Sequence, residues 1–244
     1  MSSRKKSCSD STLRACRISP RESVPDPAWA FSGRKKLLIV GIDPGTQNGG
    51  YAVYSPVQGS FLDAGILPSQ VDWTPSRAKR KGESLDLTWL DSFFRSLTLR
   101  YHDVLFFPEE LANPAQRSQV SLRERILVCY ELPPLIPKGA FGTAYLYRAI
   151  GHIEALAMRI SLLDVMPVNP RSWKAALFGS EEAKRRGKSV SVDYILAHYP
   201  EVDLLPGRLR KPHHGIADAC CVSLYASSQL GYSIQLPPGS PSAR

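Results

Sequence analysis

Leu37-Leu38-Ile39-Val40-Gly41-Ile42-Asp43-Pro44-Gly45-Thr46 carries an apolar strand straight into one carboxylate and a Pro-Gly turn. Burying Asp43 in the middle of such a strand is costly unless something pairs with it. Two readings fit: an ordinary turn aspartate, or a carboxylate held at the rim of a sheet to bind a metal ion or a metal-bound phosphate. Gly49, Gly50 and the alternating Tyr51-Ala52-Val53-Tyr54 read as the returning strand of a hairpin.

Working outward, Phe61 to Leu67 supplies a third strand, and residues 68–82 form a polar loop with the basic cluster Arg77, Lys79, Arg80 and Lys81. Leu85, Leu87, Leu90, Phe93, Phe94 and Leu97 recur at helical spacing, which predicts a helix over Ser84 to Leu99 with Ser84 as N-cap. Asp103-Val104-Leu105-Phe106-Phe107 reads as a short buried strand running into Pro108-Glu109-Glu110. Residues 111–140 read as a long connection, broken by one apolar stretch at Ile126 to Leu132. A helix is predicted over Thr143 to Ile160, a strand over Leu163 to Val168, and helices over Ser172–Phe178, Ser189–Tyr199 and about His214 to Gln229. A three-strand antiparallel meander followed by alternating helices and strands implies an α/β fold, a mixed sheet covered by helices.

The 244 residues suit one domain plus tails, and no apolar run is long enough to span a bilayer. The net charge of +9 is uneven. Residues 1–36 hold nine Lys and Arg against three acids, are rich in Ser and lack a sustained apolar face. That is the composition of an organelle transit peptide, with a nucleic-acid-binding basic tail as the alternative. The folded domain is therefore expected over 37–232, followed by a Pro/Ser tail at 233–244. Cys8, Cys16, Cys129, Cys220 and Cys221 show neither CxxC nor zinc spacing, which points to reduced thiols.

Asp43 and Glu109 fall at predicted strand ends, and His214 and Asp218 fall at the start of the last helix. Residues four apart share a helix face, so His214 and Asp218 project together. His213 points off that face. Carboxylates gathered with an imidazole at one sheet edge repel unless cations neutralise them, and oxygen-rich ligation selects Mg²⁺ or Mn²⁺. Two such ions can clamp the attacking and leaving oxygens of a phosphodiester displacement. A helix N-terminal charge at Asp218, with His214 beside the cap, is the structural alternative.

Gly41-Ile42-Asp43-Pro44-Gly45-Thr46, Phe107-Pro108-Glu109-Glu110 and His214-Gly215-Ile216-Ala217-Asp218-Ala219, in this order, resemble the successive motifs of RuvC-like Holliday junction resolvases. The resemblance covers roughly residues 37–230. It implies an RNase H-like fold with a mixed five-stranded sheet and helices on both faces. It also implies a homodimer and metal-dependent, symmetric cutting of four-way DNA junctions. Asp43, Glu109, His214 and Asp218 would hold two Mg²⁺ (or Mn²⁺) ions per site, with Glu110 and His213 in reserve. Alternatively, His214 would handle a proton, as imidazoles titrate near neutrality. The His-x-x-x-Asp ending after Lys211 looks more like the plastid (chloroplast) resolvases of plants and algae. That places the chain in an organelle, with the mitochondrion as alternative. Bacterial members have an Asp three positions before the last Asp, where this chain has Gly215. They have an aliphatic residue where it has Pro108.

Arg171, Lys174, Lys184, Arg185, Arg186, Lys188, Arg208, Arg210 and Lys211 are the candidate DNA contacts, since phosphates need such cations. Phe141, Tyr145 and Tyr147 are candidates for stacking on unpaired bases or for packing their helix. Two rival functions remain. One is a junction-binding module without catalysis. The other is an actin-like sugar kinase or ATPase, which also opens on Asp-x-Gly-Thr but needs a second phosphate motif and a longer, two-lobed chain.

Overall fold

The computed structural model describes residues 36–45, 48–71, 83–113, 115, 118, 120–133, 140–161, 163–187 and 189–234. The basic residues 1–35, the cluster 77–81, Lys188 and most of the 233–244 tail lie outside them, as does the side chain of Phe141.

A five-stranded sheet carries the fold. Strands β1 (Leu38–Asp43), β2 (Gly50–Ser55) and β3 (Ser60–Ile66) form an antiparallel meander. Two short strands follow, β4 (Ser69–Val71) and β5 (Glu83–Leu85), which pair with each other. Strand β6 (Ile126–Glu131) runs parallel to β1, and β7 (Asp164–Val168) runs parallel to β6. The order across the sheet is β3-β2-β1-β6-β7. This is the mixed sheet with a three-strand meander expected of an RNase H-like α/β fold.

The strand period of two explains how both faces are used. Leu38, Val40 and Ile42 of β1 and Ile126, Val128 and Tyr130 of β6 pack with Leu90, Phe93, Phe94 and Leu97 of α1 (Leu87–Arg100). Ala149, Ile150 and Ile153 of the next long helix join the same core. The alternate residues Ile39, Gly41 and Asp43, with Leu127, Cys129 and Glu131, therefore face the other side. The largely buried C-terminal helix His214–Gln229 covers that side. Among the described residues no helix is long and apolar enough to cross a membrane.

The helix over α1 starts later than its apolar spacing suggests. Its N-cap is Asp86, whose side chain accepts the Trp89 N–H at 2.9 Å, while Ser84 belongs to β5. The strand expected at Asp103 to Phe107 is instead a single helical turn, α2 (His102–Leu105). The Phe106 N–H closes that turn on the His102 carbonyl. A short apolar run cannot be told from a buried helix turn by its pattern. Pro108 then opens another short helix, α3 (Pro108–Ala112). The strand that does line β1 is Ile126–Glu131, preceded by the turn α4 (Leu122–Arg125).

The remaining helices are α5 (Ala140–Ala155), which continues as a π-helical turn over Leu156–Ile160, α6 (Pro170–Phe178), α7 (Ser180–Arg186), α8 (Ser189–His198) and α9 (His214–Gln229). Lys36, grouped with the basic tail by composition, is buried. Its Nζ bonds Asp164 Oδ2 at 2.6 Å, and the Tyr232 hydroxyl donates to its carbonyl.

Candidate active site

Helix α9 lies unusually close to the sheet. A Cβ added at Gly41 would stand 2.1 Å from the Ala219 carbonyl oxygen, and one at Gly50 would stand 2.3 Å from the Gly215 carbonyl carbon. A Cβ on Gly215 itself would stand 1.9 Å from the Asn48 carbonyl oxygen. Gly215, Ala219 and Ser223, four apart, form the small-residue face that permits this approach. At Gly215 the chain has no room for a side chain.

That close seat brings Asp218 of α9 to the end of β1. A cavity of about 550 Å³ opens there, lined by Asp43, Asn48, Leu209, Lys211, His213, His214 and Asp218 among others. Asp43 ends β1 and accepts the Gly45 N–H on Oδ1 at 3.3 Å. Ile42 pairs with Tyr130 across the parallel strands, so the residue after each, Asp43 and Glu131, leaves the sheet side by side on the α9 face. The sheet thus presents its carboxylates at the C-terminal ends of its parallel strands, the usual ligand-binding edge of an α/β sheet.

Neighbouring helices hold two of these carboxylates. Val168 pairs with Glu131, and Asn169 caps α6 by accepting the Arg171 N–H at 2.8 Å. Helix α6 therefore starts beside Glu131. Its fully buried Trp173 donates Nε1–H to Glu131 Oε2 at 2.9 Å. From α8, the buried Ser191 hydroxyl donates to Asp218 Oδ1 at 2.5 Å. Lys174 sits with its Nζ 4.8 Å from the Trp173 ring centre.

The electrostatics mark the cluster. Burial pushes the Asp43 carboxyl well above its usual range, and Glu131 and Asp218 push it further, against the smaller pull of the Gly45 N–H and Lys174. Glu131 is pushed up to about 7, first by burial and then by Asp218, with Lys174 and Trp173 opposing. Carboxylates that raise one another in this way are short of positive charge. Their oxygens suit a hard divalent cation. Among the described residues, no three His, Cys, Asp or Glu side chains already converge into a group that could hold a metal ion. The donor set fits such an ion in chemistry, without being a ready-made cage.

Of the residues singled out in the sequence, Asp43, His214 and Asp218 meet at the cavity, with His214 exposed. His213, held in reserve, also lines it but serves as the N-cap of α9, its Nδ1 accepting the Ile216 N–H at 3.2 Å. Burial, and then His214, keep the His213 imidazole below its usual range.

Glu109 and Glu110 are not brought to this cluster. They lie on α3, and Glu110 is bonded to Arg125, one residue before β6 begins. That is the opposite end of the strand, roughly 17–20 Å from Glu131 for six extended residues. Glu109 is exposed there. Glu131 takes the place expected of Glu109. Its signal was in the sequence: Ile126-Leu127-Val128-Cys129-Tyr130-Glu131 repeats the apolar-run-then-acid pattern of β1.

The candidate DNA contacts divide. Lys184 pairs with Glu181 at 2.8 Å, Arg185 with Glu182 at 2.8 Å, and Arg186 with Glu182 and Asp193. Arg208, Arg210 and Lys211 are exposed beside the cavity and make no ion pair among the described residues. Arg171 is exposed at the start of α6, and Lys174 belongs to the carboxylate cluster.

No family model matches the sequence, and no curated protein matches it. Among solved structures, the chain is similar to Thermus thermophilus RuvC in complex with a Holliday junction substrate, with 18% identity and a TM-score of 0.46 over 82% of this chain and 99% of that one. A further Thermus thermophilus RuvC structure gives 17% and 0.40 over 82% and 99%. The fowlpox virus resolvase in complex with its substrate Holliday junction DNA gives 19% and 0.37 over 78% and 98%.

Proposed function

We propose that this chain is a structure-selective endonuclease that cuts four-way DNA junctions by divalent-metal-dependent phosphodiester hydrolysis. The observation that carries the reading is the electrostatic coupling of Asp43, Glu131 and Asp218 at one edge of the sheet, where burial and the charge of Asp218 push both Asp43 and Glu131 up. These three side chains would hold Mg²⁺ or Mn²⁺, with His214 as a further ligand. A bound pair of such ions supplies an activated water and charge stabilisation for the leaving oxygen.

The chain's own residues do the rest. Asp43, on the strand end, sets the centre of the site, and α9, seated on Gly41 and Gly50, holds Asp218 against it. Lys174 contributes fixed positive charge to the cluster. If it does not bind metal, His214 takes up a proton at the cavity mouth. Arg208, Arg210 and Lys211 draw the phosphate backbone to the cavity, because their charge is not already spent on neighbouring acids.

Symmetric cuts on a four-way junction need two sites, so a two-fold homodimer follows. The exposed face of α5 and the π-turn after it suits that contact. Tyr147 and Met158 are half exposed there, with Gly151 and Ala155 between them. The basic, Ser-rich residues 1–36 assign the chain to an organelle, the plastid before the mitochondrion.

The test is nicking of synthetic four-way junctions by the full chain in Mg²⁺, beside linear duplex and RNA–DNA hybrid controls. The reading expects symmetric nicks in the junction alone. It also expects Asp43→Asn to lower the rate by at least about 10³-fold while junction binding persists, as for loss of a group that stabilises only the transition state. Cutting of hybrids with junctions ignored would overturn it.

A further inference from the structure

We infer that Ser191 is a positioning residue for Asp218, and that Trp173 does the same for Glu131, so that two buried donors set the carboxylates for the ion they receive. The inference rests on the proposed metal-dependent reading of the site. Ser191 is 1% exposed and Trp173 is 0% exposed. A hydroxyl buried to that degree costs free energy unless it is bonded, and its bond goes to Asp218 Oδ1 at 2.5 Å. The indole N–H of Trp173 has its one donor directed at Glu131 Oε2 at 2.9 Å.

Both helices come from outside the sheet. Helix α8 supplies Ser191 and α6 supplies Trp173, whereas Asp218 and Glu131 belong to α9 and β6. Each contact therefore ties a carboxylate to an element that does not otherwise present it. A hydrogen bond donated to one carboxylate oxygen fixes the plane of the group and favours the ionised acceptor that a cation binds. Outer hydrogen-bond partners of metal-ligating groups work in this way.

The packing also separates positioning from simple stability. Trp173 is enclosed by Phe178, with ring centres 6.0 Å apart, so Trp173→Phe keeps an aromatic ring in the core and removes the N–H. Ser191→Ala removes the hydroxyl with little change in volume.

The experiment titrates the full chain with Mn²⁺ alone and follows free Mn²⁺ by electron paramagnetic resonance. It compares the native chain with Ser191→Ala, Ser191→Thr, Trp173→Phe and Asp43→Asn, each checked for native circular dichroism. Ser191→Ala and Trp173→Phe are each expected to weaken Mn²⁺ binding by about 10-fold or more. Ser191→Thr, which keeps the hydroxyl, is expected to restore it. In junction cutting, the two weakened variants should need more Mg²⁺ yet approach the native rate at saturation. Native affinity in both Ser191→Ala and Trp173→Phe would overturn the inference while leaving the proposed function standing. If Ser191→Ala fails to fold, Trp173→Phe alone decides. Absence of Mn²⁺ binding by the native chain would instead overturn the proposed function on which this rests.

Discussion

The two ends of the parallel strands β1, β6 and β7 hold carboxylates in opposite states. At the N-terminal end Glu110 is bonded to Arg125, and Asp164 is bonded to Lys36 and Arg123. The hydrogen bond from Arg125, with a second from the Phe107 N–H, holds the Glu110 carboxyl below its ordinary range. Burial works against Asp164, but bonds from Lys36 and Arg123 still hold it low. At the C-terminal end Lys174 lowers Asp43 and Glu131 only in part, and burial with the charge of Asp218 pushes both up. The same sheet thus satisfies its acids at one edge and leaves them in conflict at the other. A paired carboxylate fastens elements together; a crowded one has oxygens that suit a cation, and such perturbed clusters are candidates for function.

The largest effect that can break this comparison is the pH dependence of stability without metal. Glu131 has its folded-state pKa raised from 4.5 to about 7, so the metal-free protein loses stability as pH rises through that window. At about 1.4 kcal/mol per unit, the loss is on the order of 3 kcal/mol. Glu131→Gln should reduce it, read as a melting temperature in EDTA that falls less steeply between pH 5 and pH 8, the remaining fall coming from Asp43, which burial also raises. Glu110 has the opposite sign: its stabilisation is present above the unfolded value and is lost as pH falls through its lowered folded value. Glu110→Gln should therefore lower the melting temperature at neutral pH and narrow its fall on acidification. Equal pH profiles for both variants would erase the contrast between the two ends.

A smaller effect tests how α9 is seated. Gly215→Asp forces a Cβ to within 1.9 Å of the Asn48 carbonyl oxygen, so it should destabilise the fold by about 1–3 kcal/mol and not raise the cutting rate. Chemical denaturation beside junction nicking reads both outcomes. The smallest effect concerns the cations. Replacing Arg208, Arg210 or Lys211 by Ala should flatten the slope of log affinity against log salt by about 1 each, whereas Lys184→Ala and Arg185→Ala should leave it nearly unchanged.

Most of the fold could be read from local pattern. The hairpin β1–β2, helix α5 and helix α9 follow directly from strand and helix periodicity, and so do Asp43, His214 and Asp218. The misreading at residues 103–107 comes from a run of five residues too short for period to decide, while the apolar stretch at Ile126 to Leu132, seen only as a break in a long connection, is the strand instead. One misplaced strand carried Glu109 to the site and left Glu131 out of it. Burial of Lys36 depends on Asp164, and the bonds of Trp173 and Ser191 depend on partners in other elements. Contacts so distant along the chain leave no trace in local pattern. The ion pairs that occupy Lys184, Arg185 and Arg186 were visible in principle, since Glu181 and Glu182 stand three residues before Lys184 and Arg185.

The most direct measurement compares junction cutting by Glu131→Gln and Glu109→Gln in Mg²⁺, at matched junction binding. Placing the third carboxylate at the end of β6 predicts a loss of at least about 10²–10³-fold for Glu131→Gln and a native rate for Glu109→Gln. Native cutting by Glu131→Gln, with activity lost in Glu109→Gln, would contradict it.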